Sequence, residues 1–147
     1  MNIDLEHIRN HFKKDRFATG TGIEIDSVTE DSVVCSLILN DTHKNSIDNV
    51  QGGAIFTLAD LTFAVHCNLA WVCAGSSAAE GGEDVGVTVG QSCNISFLKS
   101  TRGSKLFAES ACLSKGRSVS VYRICVKDDL GVSIAEMTAN SFTITKR

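Results

Sequence analysis

The sequence predicts an α+β domain in which a curved antiparallel sheet wraps around one long central helix. Two observations carry this expectation. From Ala54 to about Ala74 apolar residues lie on every face of a helical segment, among them Ile55, Phe56, Leu58, Leu61, Phe63, Val65, Leu69, Trp71 and Val72, so the segment must be covered on all sides. About six β-rich runs surround it in sequence, with the helix inserted after the first hairpin. With 147 residues, 43% of them hydrophobic, the chain can bury one sizeable core, and residues 1–147 read as a single domain.

Taken in order, the N-terminal stretch MNIDLEHIRNHFKKDRF repeats Leu5, Ile8 and Phe12 at helical spacing, with Asp4 placed to cap the first turn and Lys13 and Lys14 near the far end. It is charged throughout and lacks the apolar core of an export signal. The next stretch, GIEIDSVTEDSVVCSLIL, reads as a hairpin that turns at Glu30 and Asp31, and NDTHKNSIDN as a loop leading to a Gly-Gly pair. GSSAAEGGED is expected to end the central helix. After it come a long strand, VGVTVGQSCNISFLK, and three strands in a meander, KLFAESACLS, SVSVYRICVK and VSIAEMTANSFTITK.

Charge and cysteine usage narrow the function. A formal net charge of −3 leaves no excess of Lys and Arg to neutralise phosphates along a face, which argues against a nucleic-acid partner. Asp60, His66 and Asn68 make the apolar helix costly as a membrane span, so a buried helix is expected instead. The six cysteines, Cys35, Cys67, Cys73, Cys93, Cys112 and Cys125, stand singly with no CxxC pair. Buried, reduced thiols in a cytoplasmic protein and no metal site are the expectation.

One residue resists a purely structural reading. Asp60 lies well inside the apolar helix, where propensity and burial both disfavour an acid. Either it faces water or a charged neighbour, or it is held in a convergent pocket where burial and dipoles tune it for catalysis.

The stretch from Asn45 to Asn68, NSIDNVQGGAIFTLADLTFAVHCN, resembles the helix entry of the hotdog-fold thioesterases, in the PaaI-type (phenylacetate-pathway) branch of the 4-hydroxybenzoyl-CoA thioesterase superfamily. That branch has an Asn, five residues, His-Gly-Gly and then a helix bearing Leu-Ala-Asp; Asn45, Gly52, Gly53, Leu58, Ala59 and Asp60 fall in register with it. SCNISFLKSTRGSKLFAESA resembles the family's long strand, basic turn and following strand, and the likeness covers nearly the whole chain.

The resemblance implies a hotdog fold and hydrolysis of an acyl-CoA to free acid and coenzyme A, with aromatic acyl groups of the phenylacetyl type among the candidates and no cofactor beyond the coenzyme A of the substrate. The Gly52 N–H, at a helix start, would donate to the thioester oxygen as it becomes an oxyanion. Asp60 would act as general base or nucleophile. Asn45 matches the residue that places the carbonyl or the water, with a plain turn role as the alternative. Gln51 departs from the family's His: it offers hydrogen bonds but no titratable proton, so either it positions polar groups or the site tolerates both side chains. The family also carries a Ser or Thr on the long strand to orient the water, and among Thr88, Gly90 and Ser92 the expectation falls on Ser92.

Gly53 and the basic residues Lys99, Arg102, Lys105, Lys115 and Arg117, in two turns expected to neighbour each other, are candidates for the coenzyme A end, with solvated hairpin charges as the alternative. His66 and Asn68 are expected to pack, and Phe56, Phe63 and Trp71 to fill the core rather than line an acyl tunnel. A hotdog dehydratase or hydratase, or a non-catalytic acyl-CoA sensor, are the competing readings; the absence of Pro and of a matching His opposes the first, and Asp60 opposes the second. Gly52 and Asp60 are eight positions apart, hence roughly 12 Å apart along one helix, and cannot grip one carbonyl. If both act on one thioester, two copies must pair with central helices antiparallel, giving a homodimer with shared sites that family members often double into a tetramer.

Overall fold

The computed structural model describes residues 1–75 and 86–144. Helix α1, Leu5–Phe12, starts where the Asp4 side chain accepts the amides of Glu6 and His7, as expected from the capping pattern. A second helix, α2, Arg16–Thr21, was not anticipated. Asp15 caps it by accepting the Ala18 N–H at 3.0 Å, and Gly22 ends it at φ +97°, a conformation that L side chains rarely adopt.

The hairpin follows as β1, Ile23–Val28, and β2, Ser32–Ile38. The loop after it contains a 3-10 turn, Asp41–His43. The apolar segment forms α3, Gly52–Cys67, and a separate short helix, α4, Leu69–Ala74. The expected single helix is thus broken at Asn68, whose ψ of 4° departs from helical geometry. The expected end of the helix, GSSAAEGGED, lies almost wholly outside the described residues, which stop at Gly75 and resume at Gly86.

Four strands complete the fold: β3, Val87–Phe97; β4, Lys105–Lys115; β5, Val119–Asp128; and β6, Ser133–Ile144. One six-stranded sheet runs β1-β2-β4-β5-β6-β3, antiparallel throughout. Leu58, Ala59, Leu61, Phe63 and Val65 of α3 pack with Leu37, Leu106, Ile124, Val126 and Met137 of the sheet in one core. This is the hotdog arrangement, a curved sheet around a helix.

The chain leaves one face of α3 uncovered. Gly53 and Asp60 are exposed, and Phe56, Thr57, Ala64 and Cys67, on the same side of the helix, are half-buried. Beside that face runs β3, an edge strand whose residues from Val89 to Asn94 are all exposed. Among the described residues no helix is long and apolar enough to cross a membrane. All six cysteines are free, but the expectation that they are buried is only partly met: Cys35 is buried, while Cys93, on the α3 side of the edge strand β3, is exposed.

Candidate active site

The site begins with the loop that delivers Gly52. His43 is buried and its ring spans two elements: Nδ1 accepts the Asn40 N–H at 3.1 Å, and Nε2 lies 2.7 Å from the Thr21 carbonyl, to which it donates. The His43 carbonyl in turn accepts the Gln51 N–H at 2.7 Å. Between them Asn45 folds the chain on itself. Its Oδ1 accepts the amides of Ile47 and Asn49 at 3.0 and 3.2 Å, and Asp48 takes a φ of +59°. Asn45 therefore holds the turn with its oxygen, while its side-chain N–H2 has no partner among the described residues and borders the cleft.

Gln51 stands at the N-cap of α3 and its side chain makes no capping bond. Gly52 and Gly53 are the first two helical residues, so their amides have no intrahelical acceptor, and the helix dipole favours negative charge beside them. A Cβ at Gly53 would meet only the Gln51 side chain at 3.8 Å, an ordinary contact. At Gly52 it would lie 3.2 Å from Cζ of Phe97. A cleft of about 390 Å³ opens there, between Asn45, Asn49 and Val50 on one side and Phe97, Leu98, Lys99 and Thr101 on the other.

Asp60 sits two turns further along α3, on its uncovered face. It is exposed in the single chain, so the dry pocket considered for it is not formed by one copy alone. Even so, the surrounding protein raises its pKa above the ordinary carboxylate value, through lost hydration first and the negative charge of Asp15 second. An acid made harder to ionise and facing outward from an apolar helix is a group able to hold or accept a proton.

Two expectations are corrected by β3 and its neighbours. Ser92 does not face Asp60. It pairs with Asn140, whose amide donates to Ser92 Oγ at 3.0 Å on the outer face of the sheet. Gly90 and Cys93 pair with the buried Ser141 and Ala139 and so point inward, and the register shift between Gly90 and Ser92 makes the difference. Cys93 is the β3 side chain that senses Asp60: its thiol pKa is raised by burial and then by the Asp60 charge. Thr88 faces inward too, but its backbone is held by the Asn68 side chain.

The basic turns are the second correction. Lys99 and Arg102 precede β4 and Lys115 and Arg117 end it, so the two groups are separated by the strand's length, roughly 33 Å. Lys99 borders the Gly52 cleft, whereas Lys115 and Arg117 line a different cavity, with His66 and Tyr122, at the C-terminal end of α3. Lys105 turns over the Phe107 ring at 4.9 Å.

His66 packs as expected. Its Nδ1 meets the Ser110 hydroxyl at 2.8 Å and its Nε2 the Glu30 carbonyl at 3.2 Å, and burial lowers its pKa, so the ring is spent on structure. Phe63 lies in the core, and Phe56 and Trp71 pack against it. Among the described residues no three His, Cys, Asp or Glu side chains gather to hold a metal.

A helix N-terminus with free amides and an outward acid eight residues on, framed by a six-stranded sheet, is the outline of a thioester hydrolase. The family profile of the thioesterase superfamily matches residues 48–135, and the chain belongs to that family. It is 27% identical over 134 residues to the acyl-coenzyme A thioesterase PaaI of Escherichia coli, covering 90% of this chain and 86% of that protein. The solved structure of the E. coli PaaI protein, from the phenylacetic acid degradation operon, superposes with a TM-score of 0.77 at 24% identity over 96% of both chains. A thioesterase from Haemophilus influenzae gives a TM-score of 0.82 at 18% identity, over 99% of this chain and 93% of its own. A hypothetical thioesterase from Streptococcus pneumoniae, solved with coenzyme A, gives 0.73 at 19% identity, over 92% of this chain and 98% of its own.

Proposed function

We propose that the chain hydrolyses acyl-coenzyme A thioesters in sites shared between two copies related by a two-fold axis. The observation that carries this reading is the position of Asp60: outward on α3, with a raised pKa, and too far along the helix to meet the Gly52 amide of its own chain. The relative named as an acyl-coenzyme A thioesterase and the neighbour solved with coenzyme A support the substrate class.

In this reading the thioester oxygen accepts the Gly52 N–H of one copy, and Asp60 of the other faces the carbonyl carbon. As a base, Asp60 takes a proton from water while the water oxygen adds to the carbon; the C–S bond then breaks and the coenzyme A sulfur takes up the proton. As a nucleophile, its carboxylate oxygen adds to the carbon and the C–S bond breaks, releasing the coenzyme A thiolate; water then cleaves the mixed anhydride to the free acid and the Asp60 carboxylate, and the proton that water gives up balances the thiolate. Lys99 stands at the cleft mouth for the phosphate end. Antiparallel pairing brings Lys115 and Arg117 of the second copy towards that same end, so two copies restore the basic grouping that one chain separates. Pairing of such dimers into a tetramer and a cytoplasmic location, suited to free thiols, complete the proposal.

The test is release of free thiol from aromatic, short, medium and long acyl-CoAs, with wild-type protein and Asp60→Ala. Turnover of at least one class is expected, falling by about two to four orders of magnitude in the variant. A folded Asp60→Ala protein with near-normal turnover would remove Asp60 from the mechanism, and no turnover of any acyl-CoA by the wild type would favour a sensor.

A further inference from the structure

We infer that Phe97 is a positioning residue of the site: its ring tip lies against the Gly52 Cα, so that a thioester entering the cleft is guided along the ring to the Gly52 N–H. The inference rests on the reading of Gly52 as oxyanion donor but names a residue that the reading does not include.

Phe97 is the last residue of β3 and lies opposite Ala135, on the face of the sheet that carries α3. Its ring points tip-first at the helix start: a Cβ at Gly52 would stand 3.2, 3.4 and 3.6 Å from its Cζ, Cε1 and Cε2. Those three carbons are the far end of the ring, so the space beside the Gly52 Cα is filled by Phe97 rather than kept open. A methyl at position 52 would therefore press on the ring tip, which would have to give by a few tenths of an ångström, so the aromatic side chain disfavours any residue larger than glycine there before any substrate is considered.

The rest of the ring is unaccounted for. Phe97 is 54% exposed, and it shares the cleft with both apolar and polar neighbours, Val50 and Ile55 with Asn45, Lys99 and Thr101. A slot whose two sides each mix apolar with polar or cationic side chains fits an arm that alternates methylene and amide groups and ends in phosphate, as the pantetheine of coenzyme A does. With that arm against the ring, the thioester carbonyl is guided to the amide, and orientation of the reacting group is what the ring contributes.

The experiment is a double-mutant cycle on Gly52 and Phe97, with kcat and KM measured for whichever acyl-CoA the wild type hydrolyses fastest and coenzyme A binding measured by calorimetry. Phe97→Ala is expected to lower kcat by about tenfold or more and, as the pantetheine arm loses the ring, to raise KM and weaken coenzyme A binding by about threefold or more, while Phe97→Tyr, which keeps the ring, stays within about threefold of wild type. Gly52→Ala should cost much less in the Phe97→Ala background than in the wild type, because the added methyl then meets no ring. Melting curves separate folding losses from these effects, and Phe97→Leu, which fills the same end of the sheet without a ring, serves if the alanine variant does not fold. The proposal is overturned if the ring-less variants keep wild-type kcat or if the Gly52 and Phe97 losses simply multiply. A wild type that hydrolyses no acyl-CoA would instead overturn the reading on which it rests.

Discussion

Asn68 clamps Thr88 at both backbone atoms. Its Nδ2 donates to the Thr88 carbonyl and its Oδ1 accepts the Thr88 N–H, each at 2.8 Å, and Nδ2 also reaches the Ala64 carbonyl at 3.1 Å. The end of α3 and the start of β3 are thereby fixed to each other, which sets how the strand lies along the helix and past Asp60.

Replacing Asn68 with Ala removes all three bonds and leaves Thr88 groups unpaired, so we predict a loss of about 2–4 kcal/mol. Asn68→Asp keeps the acceptor but sets a carboxylate against the Thr88 carbonyl, and should not restore the wild-type value. Urea denaturation measures both; an unchanged midpoint for Asn68→Ala would show that the clamp contributes nothing.

The raised pKa of Asp60 gives a signed pH prediction. If ionised Asp60 does the chemistry, the acid limb of kcat/KM lies above the ordinary carboxylate range, about 4. Asp15→Asn removes the second cause of the shift and keeps an N-cap acceptor for α2, so the limb should move to lower pH with the fold intact. The folded state also holds the Asp60 proton to higher pH than the unfolded chain does. Stability therefore falls as pH rises through the window above the ordinary value of 3.8, and Asp60→Asn should be at least as stable as wild type at neutral pH, with any gain vanishing in acid. A limb that stays in place in Asp15→Asn would mean that another group sets it.

Gln51 is exposed, and its hydrogen bonds among the described residues are made by the backbone: its N–H donates to the His43 carbonyl and its carbonyl accepts the amides of Ala54 and Ile55. Gln51→His is expected to alter stability by less than about 0.5 kcal/mol, as surface changes usually do. It should also retain activity. Loss of turnover without unfolding would assign the Gln51 amide a role that imidazole cannot fill.

Sharing of sites between copies is tested by complementation. Asp60→Ala and a disabling Gly52 variant, each inactive alone, are mixed under conditions in which subunits exchange. About half the dimers are then mixed and each has one intact site, so on two-fold statistics roughly a quarter of wild-type activity should return. Exchange without recovery places both groups in one copy.

Much of the fold was legible because its signals are strong and local. The all-round apolar run of α3, the period-2 alternation of β4 to β6 and the Asp4 cap each have one physical reading. Helix α2 was missed because RFATGT has little helical character of its own; Asp15 and Gly22 hold it from outside. The Ser92 expectation failed for a countable reason: Thr88, Gly90 and Ser92 share a face in an unbroken strand, but the bulge at Gln91 shifts the alternation by one, so that Cys93, Ile95 and Phe97 take the inner face. The basic turns were misplaced because successive turns of a meander fall at opposite ends of the sheet. Phe97 could have been noticed as an aromatic at the end of the strand beside the basic turn, but its contact with Gly52 joins residues 45 positions apart, which no local pattern reveals.

The strand order has a consequence for how the chain acquires its shape. Among the described residues β3 pairs only with β6, which is synthesised after β4 and β5, whereas β4, β5 and β6 are successive hairpins. During translation α3 and β3 therefore emerge before three of the strands that will cover or pair with them, and an apolar helix and an unpaired edge wait for the C-terminal third of the chain. Closure of so distant a pair is slow relative to hairpin formation. Pulsed hydrogen exchange during refolding is thus expected to protect amides shared between β4 and β5 before those of β3, and the Asn68 clamp, and with it the alignment of β3 past Asp60, is expected to be among the last features to form.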